Sequence, residues 1–322
     1  MVPSAQVSSL TTGSITLPSA KTPFELPIEG AAYFAGGYSS SAQSNIDKVL
    51  FQNDTKSTLA ATLSGNRNSM AGFANSGTAG YYAGGGNPDT SAIDKIAFAA
   101  DTRSTLAATL SVAKYESAGF ANSGTAGYVL GGYSTTFLSA IEKVTFSTDA
   151  RTTLAATLTQ TRAYIQGCAN SGVAGYIASG YGDQAGYRSD AQKLTFSNET
   201  ISTPSANMVI DGTDNSAAAN SGVAGYWAGG ASNAGSTLRD IIVKLAFSTD
   251  TSSTLAAVIT AVKYGLSGCA KSGTAAYWAG GTSPATDRIE KLAFSAETRT
   301  TLSATLTTAR GDTSAAANSG TL

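Results

Sequence analysis

A segment of about 48 residues recurs six times along this 322-residue chain. Tyr33, Tyr81, Tyr128, Tyr176, Tyr226 and Tyr277 open the copies, at spacings of 48, 47, 48, 50 and 51 residues. Periodicity on this scale restricts a chain to arrays in which each repeat is one supersecondary unit that buries its apolar faces against its neighbours. Every copy carries four phrases in the same order. The first is an apolar stretch closing on glycine, as in AYFAGG, GYVLGG and GYWAGG, with GYIASG the copy in which one glycine is replaced. Then come IDKVLF or its variants, a Thr/Leu/Ala stretch such as STLAATLS, and a small-residue phrase such as AGFANSG.

Each phrase is five to eight residues long, bounded by Gly, Asp and Asn, and most are rich in β-branched and aromatic residues. Those features predict strands. In STLAATLS, Leu59, Ala61 and Leu63 alternate with polar or small neighbours, which favours strand over helix despite the alanines. Four strands per repeat predict an all-β fold, a six-bladed β-propeller of four-stranded blades. With strands lettered A (AGFANSG), B (GYYAGG), C (IDKIAF) and D (STLAATLS), the first unit, 31–64, has B, C and D but no A. The last ends in an A strand, near 313–318, with no B after it. The C-terminal strand is therefore expected to complete the first blade.

Composition removes whole classes of function. Net charge is −1 with no basic stripe, so phosphate neutralisation has little to work with and no nucleic acid is expected as a partner. The chain has no histidine, which removes Ser-His-Asp triads, most zinc sites and the commonest general base. Neither a cofactor nor a metal is expected. Cys168 and Cys269 read as small buried apolar residues rather than a bridge. No apolar run approaches the ~20 residues of a membrane span, and the first thirty residues lack a basic n-region and apolar core. Neither membrane insertion nor a signal peptide is expected. Residues 1–30 hold Pro3, Pro18, Pro23 and Pro27 and none of the repeat phrases, which predicts an extended arm ahead of a propeller over 31–322. The arm reads either as a surface tail or as a segment docking on a neighbouring subunit.

The glycine doublets Gly36–Gly37, Gly84–Gly85, Gly131–Gly132, Gly229–Gly230 and Gly280–Gly281 resemble the Kelch repeat. So do the basic residues ahead of strand A: Arg67, Lys114, Arg162, Lys263 and Arg310. Strand D departs from that pattern, with leucine where Kelch units usually place tryptophan. The phrasing GYxAGG…IDKxxFxxDTRxTLxATL is similar to repeat proteins of tailed bacteriophages, cyanophages especially, that are associated with virions and tail fibres. That resemblance implies a virion location, with other virion proteins as partners through residues 1–30 and a host surface glycan as a further one.

The repeats also say where function would sit. From the Phe that ends strand C to the Asn of the ANSG phrase (Lys271 in one copy) is always 24 residues, and from there to the next Tyr always 6. All length variation lies between Tyr and Phe, at 18, 17, 18, 20, 21 and 17 residues, which places it in the B–C loops. In a propeller these loops share a face with the D–A connections, and insertions gathered on one face of a repeat array mark a working surface. Candidate binding residues there are Tyr38, Tyr133, Phe137, Tyr181 and Tyr187 in B–C loops. The D–A connections add Arg67, Lys114, Tyr115, Arg162, Tyr164, Lys263, Tyr264 and Arg310. The basic residues have a second reading, as braces between blades.

On the other face, Asp54, Asp101, Asp149 and Asp250, with Glu199 and Glu297, read as turn formers. Lys48, Lys95, Lys143, Lys193, Lys244 and Lys291 in strand C read as packed stems whose amines reach a carboxylate or carbonyl. Arg310-Gly311-Asp312 spells an adhesion tripeptide but sits in the ordinary basic register, and Asp211–Asp214 makes an incomplete calcium loop. Three functions remain open: a virion-associated binding module, a purely architectural disc, and a glycan-active enzyme using loop carboxylates such as Asp183, Asp190 and Asp287. The expectation is a non-enzymatic protein.

Overall fold

Strand B is buried along its whole length in five repeats, as in Ala31–Ala35 and Ala224–Ala228, and in all but the last residue of Ala275–Thr282, because neighbouring sheets cover both of its faces. Strand C is covered more loosely. In Ile46–Leu50 and Ile93–Ala97 the lysine and the last residue remain partly exposed. These strands assemble into the all-β, six-bladed propeller seen in a computed structural model, which describes residues 30–183, 186–204, 212–232 and 237–319. Nearly all of the expected arm, 1–30, lies outside the described residues.

Each blade is an antiparallel sheet in the order A-B-C-D. The first blade takes its A strand, Ser314–Asn318, from the far end of the chain. That strand pairs Ala31 with Asn318 and Ala35 with Ser314, the register that Ala71–Asn75 uses against Ala79–Ala83 in the second blade. The A strands of successive blades touch one another in a closed cycle around the axis. This crowding explains their small residues: a Cβ on Gly72 would lie 2.3 Å from the Ala315 carbonyl oxygen, so only glycine fits. Strand D is shorter than its phrase in three blades, at Lys56–Thr58, Thr102–Thr105 and Thr200–Ser202. In the other three it runs for eight residues, past a register shift, as in Ala150–Thr157.

The blades are stitched together by three repeated devices. Near the rim, the strand B tyrosine and strand C lysine of one blade meet the C–D turn carboxylate of the next. Tyr33 Oη donates to Asp101 Oδ1 at 2.9 Å and Lys48 Nζ to Asp101 Oδ2 at 2.7 Å. The set recurs to the last blade, where Lys291 reaches Asp54 at 2.7 Å. The strand C lysines therefore do have carboxylate partners. The turn carboxylates, all at φ between 48° and 57°, do more than shape their own turn. Around the axis, the Asn of ANSG accepts from the next blade's glycine (Asn75 Oδ1 from Gly124 N, 2.9 Å). The adjacent serine N–H donates to the next serine hydroxyl (Ser76 N to Ser123 Oγ, 3.1 Å). On the loop face, the second position of the glycine doublet donates its N–H to the following D–A connection. Examples are Gly37 to the Arg67 carbonyl at 3.0 Å and Gly281 to the Arg310 carbonyl at 3.0 Å. Gly37 has φ 104°, a conformation that glycine adopts without strain.

Candidate functional site on the loop face

The basic residues of the D–A connections turn inward. Arg67, Lys114, Arg162, Lys263 and Arg310 are all buried, at 5% exposure or less. Arg67 Nη2 lies 2.6 Å from Asp94 Oδ2, Arg162 Nη2 2.7 Å from Asp190 Oδ2, and Arg310 Nη2 3.1 Å from Asp47 Oδ2. Lys114 Nζ donates to the Gly131 carbonyl at 3.1 Å, and its pKa is lowered by burial. Burial lowers Lys263 likewise, against the opposing pull of Glu290. These five residues brace the blades and offer no charge to a ligand, which replaces the expectation that they line a binding surface. The fourth blade, with Gln192 at the acidic register, pairs its Arg162 with Asp190 instead, and the fifth dispenses with the pair. Gly212 stands at the basic register and Val243 at the acidic one, so base and acid are missing together. The adhesion-like tripeptide is closed as well, since Arg310 is fully buried.

The aromatic candidates behave differently. Tyr115, Tyr133, Phe137, Tyr181 and Tyr187 form an unbroken ladder over the third and fourth blades. Ring centroids are successively 5.7, 5.0, 5.5 and 5.0 Å apart. Backbone bridges pin it: Tyr115 to Tyr133, Tyr133 to Phe137, and Ala163 to Tyr181. The longer fourth B–C loop adds a two-stranded hairpin in which Tyr181 faces Tyr187. All five rings are half-buried, so each is packed against its neighbours and still reaches solvent. Tyr38 is exposed on the first blade, bridged to Gly311 and apart from the ladder.

Beside the ladder, Tyr164, Tyr181, Tyr187 and Tyr264 wall a cavity of about 570 Å³ that also takes in Thr213 and Asp214. Asp214 belongs to a belt that encircles the axis. Ser69, Glu116, Tyr164, Asp214, Gly265 and Asp312 occupy one register, six residues before the Asn (or Lys271) of each ANSG turn, and all have φ between 52° and 65°. Each donates its N–H to the carbonyl of the preceding member, at 2.7–3.3 Å, and Ser69 donates to Asp312, closing the ring. Burial pushes Asp214 up to about 7, assisted by Asp312, and pushes Asp312 itself up to about 6. Glu116 is raised well above the usual carboxylate range by burial and by these two neighbours. Tyr164 is pushed up to about 12 by burial and then by Glu116. Among the described residues, no group of three or more metal-ligating side chains has the arrangement of a metal site.

Asp214 and Asp312 are visible in the sequence only through unrelated motifs, and Glu116 through none. The register itself gives little signal, since it holds Ser, Glu, Tyr, Asp, Gly and Asp in the six repeats and the registers on either side vary as much. Asp211 lies outside the described residues. Cys168 and Cys269 are both free and buried, their thiols pushed far up by burial. No described helix is long and apolar enough to cross a membrane. The fold and loop face define a β-propeller suited to binding or to structural roles. Comparison with protein-family models and with curated proteins finds no match.

Proposed function

We propose that this chain is a non-enzymatic binding module of a tailed-phage particle. In this reading a Kelch-type propeller is held through residues 1–30 and turns its B–C face to a host glycan or a neighbouring virion protein. The observation that carries the reading is the five-ring aromatic ladder, on the face that also collects every length difference among the repeats. Half-buried rings fixed by their neighbours present flat apolar area at little entropic cost, which suits stacking on a sugar or packing on a protein. A non-enzymatic role is supported by the absence of histidine and by the state of Asp190. Its carboxyl is tied to Arg162 and held below the usual range, so it is a poor general acid.

Two measurements test this. Antibody against the propeller should label particles of a phage that encodes it; unlabelled particles would remove the virion assignment. Purified protein should adsorb to cells of that phage's host, and Tyr133→Ala with Phe137→Ala should weaken adsorption by at least about 10-fold. Adsorption unchanged in the double variant would remove the ladder from the contact.

A further inference from the structure

The tyrosine-walled cavity differs chemically from the ladder beside it. Its rings come from two blades and from the D–A connections at the axis, and its non-aromatic polar residues are Asp214, Thr213 and Ser283, of which Asp214 alone is ionisable. Among the described residues, no lysine or arginine contributes to its wall. The nearest basic register positions are spoken for: Arg162 holds Asp190, Lys263 is buried, and Gly212 stands where a third base would be. Behind Asp214, Glu116 and Asp312 add acidic groups on the same belt, again without a base. An aromatic wall beside a carboxyl that faces no base attracts cations through the ring quadrupoles and, once that carboxyl is ionised, through Coulomb attraction as well. A volume of about 570 Å³ lies within the range of small-molecule clefts.

We propose that this cavity binds a small organic cation, an ammonium group seated among Tyr164, Tyr181, Tyr187 and Tyr264 with Asp214 as its counter-ion. The proposal rests on the loop face being the working surface, and it narrows one part of that face to one ligand chemistry. A neutral sugar would use the rings but leave the belt charge unanswered, whereas a cation uses both.

The test is calorimetric titration of the full chain at about pH 8, where Asp214 is ionised, with choline, with n-butylammonium, and with 3,3-dimethyl-1-butanol, the neutral isostere of choline. Saturable binding of a cation at least about 10-fold tighter than the isostere is expected. Whichever cation binds tighter identifies a quaternary or a primary ammonium as the preferred head. Asp214→Asn keeps the side-chain shape and tolerates positive φ, so it should fold and yet lose about 10-fold or more in cation affinity. Tyr264→Ala should lose a comparable amount, with far-ultraviolet circular dichroism confirming the fold. Equal binding of cation and isostere, undiminished affinity in Asp214→Asn, or no saturation by either cation up to about 50 mM would each overturn the proposal. Those failures would leave host adsorption and its loss in the Tyr133/Phe137 variant untouched. Failure of the wider reading would instead appear as absent adsorption while choline still saturates the cavity.

Discussion

The carboxylates between blades and those around the axis are built from the same residue types and have opposite surroundings. Asp47 and Asp94 are fully buried, and each accepts from an arginine, from a backbone N–H and from hydroxyls. Burial alone would raise the pKa of Asp47. For Asp47 the bonds from Thr307 and Thr58 and the charge of Arg310 outweigh burial, and the carboxyl ends below its usual range. On the axial belt burial wins. Glu116, Asp214 and Asp312 face one another, and among the described residues no basic group answers them. Paired carboxylates make the ring cohere. Unpaired ones cost stability, and the same register holds Ser69, Tyr164 and Gly265 in the other three blades, so the fold itself does not require an acid there.

The sharpest way to break that contrast is to unpair a seam. Asp47 joins the first blade to the connection carrying Thr307 and Arg310, where the two ends of the chain meet. Asp47→Ala leaves Arg310 buried without its counter-charge and should cost about 3–5 kcal/mol in urea unfolding. The fifth blade, with glycine and valine at these registers, indicates the remedy. Asp47→Val combined with Arg310→Met should recover more than half of the loss. A single variant costing under about 1 kcal/mol would mean that the seam pairs are not what holds the ring shut.

The belt should respond in the opposite direction. A carboxyl raised in the folded state binds a proton more tightly there than when unfolded, so the stability it confers is present at low pH and is lost as pH rises through its folded value. For Asp214 that loss runs from about 4 to about 7, and for Asp312 from about 4 to about 6. The groups facing Asp214 are Asp312, Glu116 and Tyr164, none of them cationic. Asp214→Asn should therefore raise Tm by about 2–4 °C at pH 8 and by less at pH 5. The same variant loses the proposed cation site, a trade of function for stability. A lower Tm at pH 8 would show that the Asp214 charge is compensated after all.

How much of this was legible depended on whether the cause lay within one repeat or between two. The strand pattern and the swap of the C-terminal strand into the first blade follow from the order of phrases, because strand identity is local and the register is the same in every copy. The destination of Arg67, Arg162 and Arg310 was harder to see. A base beside an aromatic in a loop looks the same whether it faces solvent or a buried acid, and Arg67 and Asp94 stand 27 residues apart. The joint loss at Gly212 and Val243 was the available clue. An Asn before Ser-Gly signals a hairpin turn, and ANSG does form one, but Asn75 and Ser76 also spend their polar groups on the next blade, a contact that closure of the ring alone creates. The belt was the least visible, since its register varies in residue type and is united only by backbone conformation and hydrogen bonds across blades.

The rim supplies the mildest test, because its pairs are balanced like the seams but lie closer to water. Lys95 Nζ is 2.7 Å from Asp149 Oδ2, with the two side chains 22% and 30% exposed, and Tyr81 Oη donates to the same carboxylate at 3.0 Å. Solvent screening at that exposure keeps such a pair weak. A double-mutant cycle with Lys95→Met and Asp149→Asn should give a coupling energy of about 0.5 kcal/mol, smaller still in about 1 M NaCl. The stacking of Tyr81 on Phe146, at 5.2 Å, survives both changes and should keep the blades in register. A coupling above about 2 kcal/mol that ignores salt would place the rim with the seams. Burial would then no longer separate the carboxylates that hold the ring from those that merely decorate it, and the belt would have to be explained by its lack of bases alone.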